Sequence, residues 1–357
     1  MKKMRIIVAA LWLALAVFAW VRPADAISES ERRPLNQFPE LNAQTIFNGS
    51  FMEKFEDYTL DQFPLRDAFR TLKANIQLKL FGQKDNNNIY VADGYAAQLE
   101  YPYDAASIDR ALSRFQYVYD NYLTGCNVFL TVVPDKGYYL AEENGYPAMD
   151  YEAMFADLQT DMPWTQFIDL TETLTLDSYS RTDTHWRQEA ILPAAEKIAE
   201  ALGVTVGEFT EKNLNTPFYG VYCGQSALNL KPDESRVMEA DWMADCKVYD
   251  AESNSWGDIY DLPKLEGQDP YEVYLSGSRS LLTIENPNAA TDRELIIFRD
   301  SFGSSVAPLL VKDYAKVTLV DIRYMSPTIL GNFIEFGGQD VLFLYSTLVL
   351  NNSETIK

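Results

Sequence analysis

The chain has 357 residues, 47% of them hydrophobic and 13% aromatic, enough to bury a sizeable core and too ordinary for a disordered or fibrous class. Its 52 acidic residues against 30 basic ones give a net charge of -22, spread along the chain with no lysine or arginine stripe to offset it. That field repels a phosphate backbone and argues against a nucleic-acid partner, whereas a neutral glycan or small acyl group meets no such barrier.

Read from the amino terminus, residues 1–26 have the layout of an export signal: basic Lys2, Lys3 and Arg5, an apolar stretch from Ile6 to Val21, then Pro23 and the small-residue pattern Ala24-Asp25-Ala26. Cleavage after Ala26 is the preferred reading. The alternative is an uncleaved anchor, although a run of 16 apolar residues falls short of the roughly 20 that span a bilayer comfortably. Either outcome places the body of the chain outside the cytoplasm. Three cysteines are too few for a disulfide framework; an exported setting permits one bridge, with Cys223 and Cys246 the favoured pair and Cys126 a core residue.

Residues 27–88 form an amino-terminal extension. Ser28 to Pro34, followed by Leu35, Phe38 and Pro39, reads as an irregular spacer. A helix with one buried face is expected from about Pro64 to Leu80, because Leu65, Phe69, Leu72, Ile76 and Leu80 recur at spacings of three and four. The main domain, 89–357, opens with a short strand at Ile89-Tyr90-Val91 and a hairpin turn at Asp93-Gly94. A second helix follows from about Ala105 to Leu123, with Ile108, Leu112, Phe115, Val118 and Tyr122 on one side.

Four nearly continuous apolar runs, Val128–Val133, Glu294–Phe298, Val317–Val320 and Val341–Leu344, suit strands covered on both faces. With helical stretches between them they predict an α/β fold, a mostly parallel sheet flanked by helices. Each run ends in polar residues, where open α/β sheets hold their ligands: Pro134-Asp135-Lys136, Arg299-Asp300-Ser301, Asp321-Ile322-Arg323-Tyr324 and Tyr345-Ser346. The stretch from about 208 to 280 carries no clean periodicity and many aromatic rings, Tyr222, Trp256, Tyr271 and Tyr274 among them; it reads as an insertion lining or covering the site.

The single histidine, His185, stands in Thr182-Asp183-Thr184-His185-Trp186. In an extended segment residues two apart share a side, so the Asp183 carboxylate reaches the ring and can orient it as a general base. Alone, the pair reads first as a surface histidine beside a helix-capping aspartate, since Asp commonly caps helices. Ser301 supplies the partner: it closes a buried strand just ahead of a helix, where unpaired backbone N–H groups can receive an oxyanion. Ser304 and Ser305 are expected to cap that helix. Lys136, Arg323, Tyr324 and Tyr345, all just past or at strand ends, are candidate substrate contacts. One histidine and no metal-spaced cysteine cluster leave a metal hydrolase only a carboxylate site, for which no clear spacing exists, and no cofactor is called for.

On these residues, with Arg33-Pro34-Leu35, Asp61-Gln62-Phe63-Pro64-Leu65-Arg66 and Pro134-Asp135-Lys136, the sequence resembles the DHHW protein family, related to the alginate O-acetyltransferase group of SGNH hydrolase-like proteins. The resemblance implies an SGNH hydrolase-like fold and a catalytic triad of Asp183, His185 and Ser301, in an order permuted from that of ordinary SGNH esterases. Thr184 stands where the family name has its second histidine, a position outside the triad. The resemblance further implies O-acyl transfer, in the first place O-acetyl transfer, to a cell-surface or extracellular polysaccharide. The acyl group would be handed over by a membrane-bound O-acyltransferase partner. A carbohydrate esterase with the same triad and a non-catalytic glycan-binding protein are the alternatives.

Overall fold

The computed structural model describes residues 2–357. They form two compact units, one of residues up to Asn87 together with Cys223–Leu230, the other of Asn88–Tyr222 and Lys231–Lys357.

The amino-terminal unit contains helices α1 (Lys2–Val21), α2 (Ser50–Asp61) and α3 (Arg66–Asn75), the last running on into a π-turn at Ile76–Leu80. At 1.5 Å per residue the 20 residues of α1 span about 30 Å, and its segment from Lys3 to Val21 is long and apolar enough to cross a membrane. The helix expected near residues 64–80 is present, but its buried face is not: Leu65, Phe69, Leu72, Ile76 and Leu80 are all exposed. Periodicity identifies an apolar face without specifying what covers it. The unit is tied together by charge. The buried Asp61 carboxylate accepts both Arg33 guanidinium nitrogens, at 2.9 and 2.5 Å, and the backbone and side-chain nitrogens of Asn36, both at 2.9 Å. Glu31 bridges Arg66 at 2.5 Å and Arg70 at 3.1 Å.

The larger unit opens with the expected hairpin, Ile89–Ala92 against Tyr95–Gln98. Asp93 and Gly94 both have positive φ, 50° and 82°, as a two-residue turn of the I′ type requires. Helix α4 (Ala105–Tyr122) follows, capped by Asp104 and burying Ile108, Leu112, Phe115 and Val118. The central sheet has eight strands: β1 (Asn127–Val133), β2 (Gln166–Ile168), β3 (Lys247–Asp250), β4 (Ser255–Gly257), β5 (Leu281–Glu285), β6 (Glu294–Arg299), β7 (Lys316–Val320) and β8 (Asp340–Ser346). Their order is β4-β3-β5-β7-β6-β8-β1-β2. The run from β7 to β2 is parallel throughout, and β5, β3 and β4 extend it antiparallel. The architecture is thus α/β with a mostly parallel sheet.

Alternation along the central strands builds a core on each face. Leu295, Ile297, Leu342 and Leu344 pack with α6 (Leu192–Leu202) and α7 (Gly303–Leu310), while Ile296, Phe298, Val341, Phe343 and Tyr345 pack toward α4 and α5 (Tyr151–Asp161). Burial on both sides is why these strands read as unbroken apolar runs.

The stretch around 208–280 is more regular than its sequence suggests. A long hairpin, Thr210–Phe218 with Asp233–Glu239, comes first, and β3 and β4 then join the central sheet. Short strands of mixed polarity at a sheet edge leave too weak a period to read. Cys126, Cys223 and Cys246 form no disulfide, so the bridge expected between Cys223 and Cys246 is not made. Cys246 instead sits in the apolar core, where burial first and Asp245 second push its thiol up to about 11.

Hydrogen bonding to Arg33, acting against desolvation, holds the Asp61 carboxyl at about 2. A carboxyl depressed on folding contributes stability that is complete above its ordinary value of 3.8 and is lost as pH falls toward 2. Asp61→Asn should therefore destabilise by about 1–3 kcal/mol at pH 7. In thermal melts followed by circular dichroism, its difference from the unchanged chain should close as pH falls toward 2; a gap that persists there would rule out the ion pair as its source.

Candidate active site

Strand β6 ends at Arg299 and α7 begins at Gly303, so Asp300 and Ser301 make the turn between them. Asp300, fully buried, fixes that turn: Oδ1 accepts the Phe302 N–H at 3.0 Å, and Oδ2 accepts the Ser346 N–H and hydroxyl, both at 2.7 Å. The bonds to Ser346 tie the end of β6 to the end of neighbouring β8. Arg299 is buried beneath the turn, donating to Ser304 Oγ at 3.1 Å and to the Gly277 carbonyl at 3.3 Å. A Cβ at position 303 would lie 2.7 Å from Arg299 Cβ, so this close approach suits the glycine found there. Ser301 is partly exposed, and its N–H donates to no group among the described residues.

Ser304 and Ser305 do not cap α7; they lie within it, facing the core. Ser304 Oγ receives Arg299, and Ser305 Oγ receives the Trp186 indole N–H at 2.8 Å. Packing around the buried Arg299 and Trp186 outweighs the usual preference of serine for a cap.

His185 stands in a tight loop, not in the extended segment expected from sequence. Tyr179 and Trp186 pair as an antiparallel bridge, and the Ser180 N–H donates to the His185 carbonyl at 3.0 Å, closing the residues between them. Asp183 still reaches the ring because its Oδ1 accepts both the His185 backbone N–H, at 3.1 Å, and Nδ1, at 2.6 Å. Oδ2 accepts the Val221 N–H at 2.8 Å. The neighbouring Gly220 packs so tightly on the loop that a Cβ there would overlap the Thr182 carbonyl oxygen and Asp183 Cβ.

The three side chains predicted to act together are brought into one row. His185 Nε2 lies 2.7 Å from Ser301 Oγ, with Asp183 on the far side of the ring. An ionised carboxylate can only accept, so Nδ1 carries the proton and Nε2 is left to accept from the serine hydroxyl. Burial alone would raise the Asp183 carboxyl, but the positive charge His185 carries whenever it is protonated and the hydrogen bonds from His185 and Val221 hold it well below the usual carboxylate range.

Sequence reasoning gave no role to Tyr271, which lies in the aromatic stretch. Its ring stacks on the His185 ring at 3.7 Å between centroids and 9° between planes, and its hydroxyl sits 2.8 Å from Ser305 Oγ. The stack fixes the imidazole plane and presents a π face to any positive charge the ring acquires. Arg299, Asp300 and Gly220 also went unassigned. Gly220 and Arg299 carried no sequence signal for these contacts, whereas Asp300 had one in its place beside the serine.

The four candidate binding residues are not gathered around this row. Lys136 is buried, with its ammonium on the Ser180 carbonyl at 2.8 Å, so it supports the histidine loop from below. Arg323 closes back on Asp321 with two bonds, at 2.9 and 2.7 Å. Tyr345 is buried against Phe115, 4.9 Å away. Only Tyr324 is exposed, under the Arg323 guanidinium.

Fold and site together describe an α/β protein whose mostly parallel sheet carries a serine at the end of a central strand, in line with a histidine and a buried aspartate. No protein-family model and no curated protein matches the sequence. Among solved structures the fold is similar to that of a DHHW family protein from Eubacterium siraeum, 23% identical, covering 76% of this chain and 95% of that one with a TM-score of 0.61. It is also similar to Bacillus cereus PatB1, 16% identical over 75% of this chain and 98% of that one, with a TM-score of 0.57. A second PatB1 structure, with a sulfonyl adduct, is 17% identical over 73% and 95%, with a TM-score of 0.55.

Because His185 is the only histidine, its ring can be followed in isolation. A proton spectrum of the unmodified chain should contain one strongly downfield Nδ1–H resonance, and Asp183→Asn should remove it; its survival in the variant would refute the pairing. Gly220→Ala should lower stability by about 1–3 kcal/mol through steric overlap, read as a lower melting temperature, and should broaden or shift the same resonance.

Proposed function

We propose that this chain is an exported O-acyltransferase, in the first place an O-acetyltransferase, acting on a cell-surface or extracellular polysaccharide through Ser301, His185 and Asp183. The observation that carries the reading is the continuous row Asp183 Oδ1 to His185 Nδ1, 2.6 Å, and His185 Nε2 to Ser301 Oγ, 2.7 Å.

Each residue has a separate task. Ser301 Oγ attacks the carbonyl carbon of the acyl donor while its proton passes to His185 Nε2. Asp183 holds the Nδ1–H and stabilises the imidazolium, and the face of Tyr271 lies parallel to it. The oxyanion meets the Ser301 N–H, which no other described group occupies. Collapse of the tetrahedral intermediate breaks the bond to the leaving group, which takes the proton from His185, and leaves acyl-Ser301. A sugar hydroxyl then attacks the ester, giving its proton to His185, and the second collapse returns that proton to Ser301. A chain with a net charge of -22 suits a neutral acceptor better than a polyanion. The amino-terminal apolar helix, acting as signal or anchor, supports export, and the family resemblance suggests a membrane-bound O-acyltransferase as the source of the acyl group. PatB1, similar in fold, has been captured with a sulfonyl adduct, the kind of product an activated nucleophile forms.

The test is release of p-nitrophenol from p-nitrophenyl acetate, with and without oligosaccharide acceptors. Ser301→Ala should lower the rate by about a thousandfold or more, and Asp183→Asn by about a hundredfold or more. Acetylated sugar in the products would support transfer, and acetate alone would redirect the reading to an esterase. Equal rates in the unchanged chain and Ser301→Ala would overturn the catalytic reading in favour of a binding protein.

A further inference from the structure

The exposed face of α3 and its π-turn is unexplained by the proposed chemistry. Leu65, Phe69, Leu72, Ile76 and Leu80 form an outward-facing apolar stripe, continued by Phe81, and Leu80 and Phe81 are 73% and 70% exposed. Lys73 and Lys79 lie exposed among these residues. Such a helix, apolar along one line and basic beside it, has the composition of a segment that lies in the plane of a lipid surface.

Two further observations point to the same occupant. The first is charge: the amino-terminal unit carries 12 basic and 10 acidic residues, whereas the larger unit carries 18 and 42. Without Lys2, Lys3 and Arg5, which lie at the start of α1, the unit carries 9 basic and 10 acidic residues, so nearly all the excess of negative charge lies in the larger unit, and a patch with Lys73 and Lys79 is complementary to anionic head groups. The second is continuity. Within the amino-terminal unit, Trp12 of α1 packs on Phe63 at 6.4 Å, and Phe63 packs on Phe69 of the stripe at 5.4 Å. The helix able to cross a membrane and the exposed stripe thus share one apolar surface.

We propose that, in the chain that keeps α1 as an anchor, residues 65–81 form a second membrane contact beside it, with the apolar stripe in the head-group region of an anionic bilayer and Lys73 and Lys79 on its phosphates. This contact is independent of the triad and of the reaction.

The test uses the full chain in vesicles of phosphatidylglycerol and phosphatidylcholine containing a lipid-soluble carbene photolabel, with labelled peptides located by mass spectrometry. Label is expected on the peptide spanning residues 65–81 as well as on α1. The double variant Lys73→Glu, Lys79→Glu should lose label on 65–81 at least fivefold in phosphatidylglycerol, with labelling of α1 unchanged. In pure phosphatidylcholine the unchanged chain should show weaker label on 65–81. Label confined to α1 in every vesicle would overturn the proposal and leave the stripe to a protein partner or a second copy of the chain. Equal label in the double variant would overturn the charge pairing on which it rests.

Discussion

A carboxylate buried away from water remains ionised only where donors replace its hydration, and the buried Asp183 falls under this constraint. Three donors meet it: the His185 backbone, the His185 ring and the Val221 backbone. Each depends on other structure. The His185 pair needs the loop closed by Tyr179 and Trp186, and Val221 arrives only because Gly220 has no side chain to hold it off. Lys136 and Asp233 brace the same loop through Ser180 and Thr182. These contacts together keep one carboxylate charged and one imidazole aimed.

Ser301 is held by a second system that barely overlaps the first. Asp300 links β6 to the end of β8, and Arg299 fills the space beneath the turn. The two systems meet at Ser305, whose hydroxyl receives Trp186 from the histidine loop and contacts Tyr271 from the stretch that follows β4. One small hydroxyl in α7 thus registers three separate segments against one another, and a change there would reach the site through all of them.

The fold was legible where one physical cause dominated. The central strands are buried on both faces and read as apolar runs at Val128–Val133, Glu294–Phe298, Val317–Val320 and Val341–Leu344, close to the observed bounds. Asp93-Gly94 marked its hairpin because few residue pairs accept two positive φ angles. The pairing of Asp183, His185 and Ser301 in space followed from one histidine and one serine at a strand end, though not the loop geometry that brings Asp183 to the ring. The rest depends on contacts distant in sequence. Nothing near Tyr271 announces a stack on a histidine 86 positions earlier, and a charged strand-end residue such as Lys136 looks the same whether it faces solvent or bonds a carbonyl. The stripe on α3 was visible as a period, but its exposure depends on the rest of its unit.

The strand order has a consequence for how the chain becomes a protein. The long edge of β1 pairs with β8, and Asn127 and Asp340, facing each other there, are 213 residues apart. During synthesis, then, β1 waits with one side unpaired until residues 340–346 have emerged, and β6 lacks one neighbour until the same strand arrives. Loop closure over such a distance is slow, and an unpaired apolar edge invites association with other chains. Residues 340–346 therefore act as a kinetic gate: until they arrive, β1 and β6 each lack a neighbour and the serine turn lacks the bonds that tie Asp300 to Ser346.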